Sequence, residues 1–277
     1  MLYLLAVSLL WAFSFGLIKG RLAGLDSAFI ATVRLALALL VFLPFVRTRW
    51  LGLRTSVLLF LIGAVQFGLM YLAYNESFNH LQAHEVALLT LTTPVFVTLL
   101  ADALEKKFRL RSLLAALLAV GGTALIAFQG KEVRPTFIGL ALVQLSNLAF
   151  ALGQVGYRRL REKQATLKDR EVFAVLYAGG CCLTLAVMLS RGVSVTLSTS
   201  QVFTLLYLGV LASGVGFYYW NVGATHVSAG TLAVMNNVKI PLAVLCSLVF
   251  FGETADLPRV GISLVLLAAA VWLAEKR

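Results

Sequence analysis

Apolar residues run almost unbroken for about twenty positions at a time along this chain, and charged residues collect in the short gaps between the runs. Ten runs are long enough to cross a bilayer, at about 2–18, 27–46, 56–78, 83–103, 110–128, 136–157, 171–190, 201–223, 228–250 and 257–274. A chain in hydrocarbon must satisfy its own backbone polar groups, so such runs are helices or the strands of a closed barrel. Barrel strands alternate apolar and polar positions, and LAALLAVGGTALIAF at 114–128 does not. The pattern predicts an all-α membrane protein with ten transmembrane helices, short loops and no soluble domain. The first run begins at Met1 without a basic leader or a clear small-residue cleavage site, so it is expected to remain as a helix.

The polar positions then reveal a repeat. Residues 75–87, NESFNHLQAHEVA, and 221–233, NVGATHVSAGTLA, share N-x4-H-x2-A-x3-A at an offset of 146, and Gly63/Gly209 and Gly68/Gly214 extend the match upstream. Pro94 falls opposite Pro241 after a one-residue slip, and Glu105 opposite Glu253 after one more. The chain therefore reads as two copies of a five-helix unit, 1–130 and 131–277. Five spans return the chain on the other side of the membrane, so the second copy is expected to lie inverted, as in many secondary transporters whose sites sit between two such halves.

Composition supports the membrane reading: 60% of residues are hydrophobic and 13% charged, with a mean hydropathy of +0.92. The net charge of +11 is better explained by orientation than by nucleic acid. With the amino terminus inside, 15 Lys and Arg fall on the cytoplasmic side, at 47–54, 106–111, 158–170 and 276–277, and six on the other, Lys19, Arg21, Lys131, Arg134, Arg191 and Arg259. Both termini are then cytoplasmic. Arg34 and Lys239 remain, both within spans. Cys181, Cys182 and Cys246 lie in spans without ligand spacing, so no metal site and no cofactor is expected.

Taken with the duplication, WAFSFGLIK in the first run, PVFVTLLADALE closing the fourth and PLAVLCSLVFFGE closing the ninth resemble the drug/metabolite transporter superfamily, EamA-type branch. The resemblance covers essentially the whole chain. It implies efflux or exchange of small metabolites across the bacterial inner membrane, with amino acids prominent among substrates, and a central cavity lined mainly by spans one, three, four, six, eight and nine.

Polar groups inside spans are candidates for function. Lys239 stands at the centre of the ninth span, where burying its charge costs about 2.5–3.5 kcal/mol on insertion scales. It either faces a wet cavity and a substrate carboxylate or pairs with backbone carbonyls, including that of Asn237, which Pro241 leaves without a donor. Asn236 and Asn237 extend this polar segment, and Pro94 is expected to free the carbonyl of Thr90 in the same way, giving paired hinges. Arg34, two turns into its span, reads as structural, snorkelling or paired with Asp26. Gln144, Asn147, Gln154 and Arg158 share one face of the sixth span: Gln144 and Asn147 line a pathway or bond between helices, and Arg158 anchors the end. Trp11, Tyr71, Tyr74 and Trp220 are aromatic candidates for the cavity wall, or members of an interfacial belt. His80 and His226, in hairpins at opposite mouths, are candidate gate elements.

Other classes fit less well. There is no G-x-S-G with a deep histidine for an intramembrane protease and no phosphate loop for ATP-driven transport, so no catalytic residue is assigned. The first span carries no acid, against the proton-for-cation exchange of small multidrug relatives. The expectation is a carrier of small molecules, most simply amino acids, in the lipid bilayer. A multidrug or cationic-compound exporter is the alternative, and a channel or membrane enzyme is a more distant one.

Overall fold

The computed structural model describes residues 1–22, 24–48, 51–128, 135–193, 195–251 and 256–275, with 13–16, 18–20, 83 and 247–251 described by backbone alone. The expected boundary at 130/131, and Arg49, Lys131, Arg134, Glu253, Lys276 and Arg277, lie outside the described residues. Every long apolar run is a helix: α1 Leu2–Arg21, α2 Ser27–Phe42, α3 Leu53–Ser77, α4 in two pieces, Ala83–Thr90 and Thr93–Glu105, α5 Leu110–Ala127, α6 Phe137–Lys163, α7 Asp169–Ser190, α8 Thr199–Thr225, α9 Ala229–Phe251 and α10 Leu257–Glu275. No strand occurs among the described residues. Nine of these spans are long and apolar enough to cross a membrane on their described residues, and α1 contributes a shorter apolar stretch, Leu2–Ala12. Leu53, Phe137, Val265 and Trp272 project outward, as lipid-facing side chains do.

The loops alternate between two ends of the bundle, called here the Arg191 end and the Arg109 end. At the first, Arg191 reaches Asp26 at 3.2 Å and Glu76 at 3.1 Å, tying α2, α3 and α7 together. Partial burial pulls the Arg191 pKa down, but its bonds to Asp26 and Glu76 outweigh that and hold it above the usual arginine value, so the clamp stays charged. At the other end Arg109 joins Asp102 and Glu105, and Arg161 pairs with Asp169 at 2.7 Å. Lys106 closes α4 in the left-handed conformation, φ 50°.

The glycines of the repeat mark where the two copies meet. A Cβ at Gly63 in α3 would lie 1.8 Å from the carbonyl oxygen of Leu176 in α7, and one at Gly209 in α8 would lie 2.6 Å from the Leu37 side chain in α2. The third span of each copy thus lies against the second span of the other, a close approach that only a residue without a side chain permits. Both third spans widen to a π-helix at the matching place, Ala64–Leu69 in α3 and Tyr207–Val215 in α8.

The two prolines behave differently. In α4 the helix breaks at Leu91–Thr92 just before Pro94. The carbonyl of Thr90 that Pro94 cannot serve accepts from Thr93 Oγ1 at 2.8 Å. That of Leu89 accepts from Asn147 Nδ2 at 3.0 Å, and that of Leu91 from Asn237 Nδ2 at 3.0 Å. In α9 the helix runs on through Pro241, where the sequence suggested a loosened segment around Asn236 and Asn237.

Candidate substrate cavity

A cavity of about 120 Å³ lies inside the bundle, in the half nearer the Arg191 end. Its geometry begins with the π segment of α8. A π turn shifts carbonyls off their helical partners, and in hydrocarbon each needs another donor. Trp11 Nε1 donates to the carbonyl of Ala212 at 2.9 Å, and the Tyr177 hydroxyl contacts those of Ser213 and Gly214 at 2.9 and 2.6 Å. The same turn presents the Ser213 hydroxyl to Arg34, whose Nε donates to it at 3.1 Å. Arg34 Nη2 donates to the Tyr71 hydroxyl, and the guanidinium stands over the Tyr71 ring at 4.2 Å. Tyr71 and Ser213 are themselves 2.9 Å apart.

Lys239 enters from α9, its Nζ 5.6 Å from the centre of the Trp11 ring. Neither Arg34 nor Lys239 has an acidic partner among the described residues, and none of the described residues that line the cavity is acidic. The wall is otherwise aromatic and apolar, with Trp11, Phe150 and Phe217 in mutual contact at 5.3 to 6.1 Å. One polar strip is formed by Thr90, Thr93, Ser146 and Asn147, where α4 breaks against α6.

Toward the Arg109 end the bundle is filled by a buried, hydrogen-bonded layer. Trp220 Nε1 donates to Gln154 Oε1 at 2.9 Å, Asn236 Nδ2 to the same oxygen at 3.3 Å, and Gln66 Nε2 to Asn221 Oδ1 at 3.1 Å. All five side chains are at most 1% exposed. Beyond the layer a second cavity, of about 680 Å³, opens among Arg109, Arg111, Arg158, Glu105 and Glu275. The polar face of α6 therefore runs from the first cavity at Asn147, through the layer at Gln154, to the second at Arg158, about 16 Å of helix at 1.5 Å per residue.

Among the residues singled out by sequence, Trp11, Tyr71, Tyr74, Asn147 and Lys239 line the first cavity. Gln144 stands just behind the wall, its Oε1 accepting from Thr92 at 2.8 Å. Asn236, Asn237 and Trp220 lie off the lining: Asn237 ties α9 to α4 and α5, through the carbonyl of Leu91 and Thr123, and the other two belong to the buried layer. Pro94 sits beside the cavity at the break. His80 and His226 are in hairpins at opposite ends, His80 accepting at its carbonyl from Thr136 and His226 standing 6.5 Å from the Tyr3 ring. Arg34 departs from expectation. Asp26 caps α2 and pairs with Arg191, while Arg34 is 5% exposed and turned inward. Its position with Ala31, Leu35 and Ala38 on the buried face of α2 is a signal that sequence carries, since a residue on that face has no route to lipid. Phe150 and Phe217 were also missed, because a phenylalanine in a span looks the same whether it faces lipid or a cavity.

A model of the EamA-like transporter family matches residues 1–128 and again 137–274. The chain is 42% identical, over 99% of its length and 96% of the relative's, to a Pseudomonas aeruginosa protein named "Probable biotin transporter". It is 39% identical, over its whole length and 93% of the relative's, to the "Biotin transporter" of Escherichia coli strain K12. A solved structure described as "Crystal structure of protein" superposes with a TM-score of 0.81 at 18% identity, covering 99% of this chain and 96% of that one, a likeness of fold. The names of these relatives lend the amino-acid expectation no support.

Proposed function

The chain belongs to the EamA-like transporter family, and from that premise we propose that it carries a biotin-type carboxylate across a bacterial inner membrane by alternating access. Membership makes it a multi-pass membrane transporter of small metabolites rather than an enzyme. The substrate reading rests on one observation: the described residues that line the cavity include two cations and no acid, within a wall of aromatic rings. A buried lysine without a counter-ion is costly, and a substrate carboxylate supplies the missing charge. An amino acid would bring an ammonium group that finds no carboxylate in the lining, and a cationic drug would face Arg34 and Lys239 directly. A monocarboxylate with an apolar body, such as the compound named for the relatives, meets both conditions.

The two stretches matched by the family model support 1–130 and 131–277 as the two inverted copies. The excess of Lys and Arg at the Arg109 end supports placing that end, with both termini, in the cytoplasm. The cavity then lies on the periplasmic side of the Trp220–Gln154–Asn236 layer, which acts as the closed gate. Pro94 and the His80 and His226 hairpins are the elements that move as the halves rock.

Counterflow in proteoliposomes tests the substrate. Vesicles loaded with unlabelled biotin should transiently accumulate labelled biotin, and biotin methyl ester should compete poorly. Accumulation of labelled amino acids by the same vesicles, with none of biotin, would overturn the reading.

A further inference from the structure

Three rings stand in a row along the cavity, Tyr71, Phe217 and Trp11, with neighbouring centres 5.8 and 5.3 Å apart. Each end of the row carries a cation: Arg34 lies 4.2 Å from the centre of Tyr71, and Lys239 lies 5.6 Å from the centre of Trp11. The two are held differently. One edge of the Arg34 guanidinium is committed to neutral hydroxyls, Nε to Ser213 and Nη2 to Tyr71, which leaves the Nη1 donors without a partner among the described residues. Lys239 makes no hydrogen bond or ion pair among the described residues, and its Nζ stands over the Trp11 ring.

Building on the substrate reading above, we infer that the cavity recognises its substrate at both ends: a carboxylate at Lys239, a neutral planar carbonyl of an amide or urea at Arg34, and an apolar middle along Phe217. The carboxylate is assigned to Lys239 because nothing else there balances its charge. At Arg34 two hydroxyls and a ring face already disperse the charge, and the free edge of a fixed, planar fork suits a planar acceptor. Arg34 is fixed by groups from both copies, Tyr71 from the first and Ser213 from the second, so its donors are placed before the substrate arrives. Preorganised donors of this kind give specificity at little cost in ordering.

Calorimetry on the purified full-length protein in detergent tests this with three compounds: biotin, biotin methyl ester, and 5-phenylvalerate, which keeps the acid and an apolar body but lacks the urea. The wild-type protein should bind both analogues at least about tenfold more weakly than biotin, the size of one hydrogen bond to a charged group. In Arg34→Gln, biotin should fall to the level of 5-phenylvalerate, whose own affinity should stay within about twofold. The penalty for the methyl ester should persist. Arg34→Lys, which keeps the charge and loses the fork, should not restore the preference for biotin. If Arg34→Gln does not fold, Ser213→Ala loosens the same guanidinium and should weaken biotin while sparing 5-phenylvalerate. An equal loss for both ligands in the folded variants would reduce Arg34 to a packing role. Tighter binding of suberate, which has an acid at each end, than of biotin would replace the neutral carbonyl with a second carboxylate. Failure of folded wild-type protein to bind biotin at all would remove the substrate reading itself, a result separate from either of these.

Discussion

The two copies carry the same signature and put it to opposite use. In the first, Tyr71 and Tyr74 look into the cavity and α4 is broken ahead of Pro94. In the second, the equivalent Phe217 lends one face to the cavity, the equivalent Trp220 is fully buried and bonded to Gln154, and α9 runs unbroken through Pro241. The shared glycines thus set the close backbone approaches that both copies make, while the residues that differ decide which copy holds space and which is sealed. In the alternating-access reading proposed above, these are the two arrangements that each copy adopts in turn. The present structure holds one of each.

That comparison can be broken most severely at the matched pair Tyr74 and Trp220. Trp220→Ala should lower stability by about 3–5 kcal/mol, the range for truncating a buried aromatic side chain. Tyr74→Ala, bordering a cavity, should cost about 1 kcal/mol or less. Thermal unfolding in detergent measures both, and equal losses would mean that the copies are not packed differently. Next comes Lys239, whose place in the first copy is taken by Thr92. Lys239→Gln should slow biotin counterflow by about 10- to 100-fold, as expected for the loss of a charged hydrogen-bonding partner, without lowering stability. Lost counterflow accompanied by lost stability would point to packing instead.

The prolines give a smaller and sharper contrast. Pro94→Ala allows the helix to close across Leu91–Thr92 and should slow counterflow by about tenfold if the break is a hinge. Pro241→Ala, in a helix already continuous, should change it by less than about twofold. Equal effects would remove any special status from the break. The weakest effect belongs to Arg191→Gln, which should cost below about 1 kcal/mol, because its pairs are partly exposed and screened.

Much of the architecture was legible because hydrocarbon imposes a coarse rule: about twenty apolar residues per span leave a trace that needs no tertiary information. The repeat was equally plain, since Asn75 and His80 recur at Asn221 and His226. Lys239 stood out for the same reason, as a charge too deep to reach either interface. What escaped was set by which face of a helix meets which neighbour. Sequence reads Arg34 as snorkelling or paired with Asp26 because its depth in the span is visible there and the direction of its side chain is not. The π segments leave only glycines at matching positions, and the displaced carbonyls of the one in α8 find Trp11 and Tyr177, far away in sequence. Sequence places Asn236 in the polar segment around Lys239 and offers Trp220 for the cavity wall or an interfacial belt, whereas their shared partner, Gln154, makes them a seam.

The crossed packing at Gly63 and Gly209 also bears on how such a chain could have arisen and how it assembles. Each five-span copy presents a bare backbone groove that fits the second span of its counterpart, so neither half completes its own interior. On this packing a copy on its own is shaped as one partner of an antiparallel pair, the two being linked through residues 128–136. Severed there and produced as two polypeptides, the halves should find each other in the membrane and regain counterflow together, while either alone remains inactive.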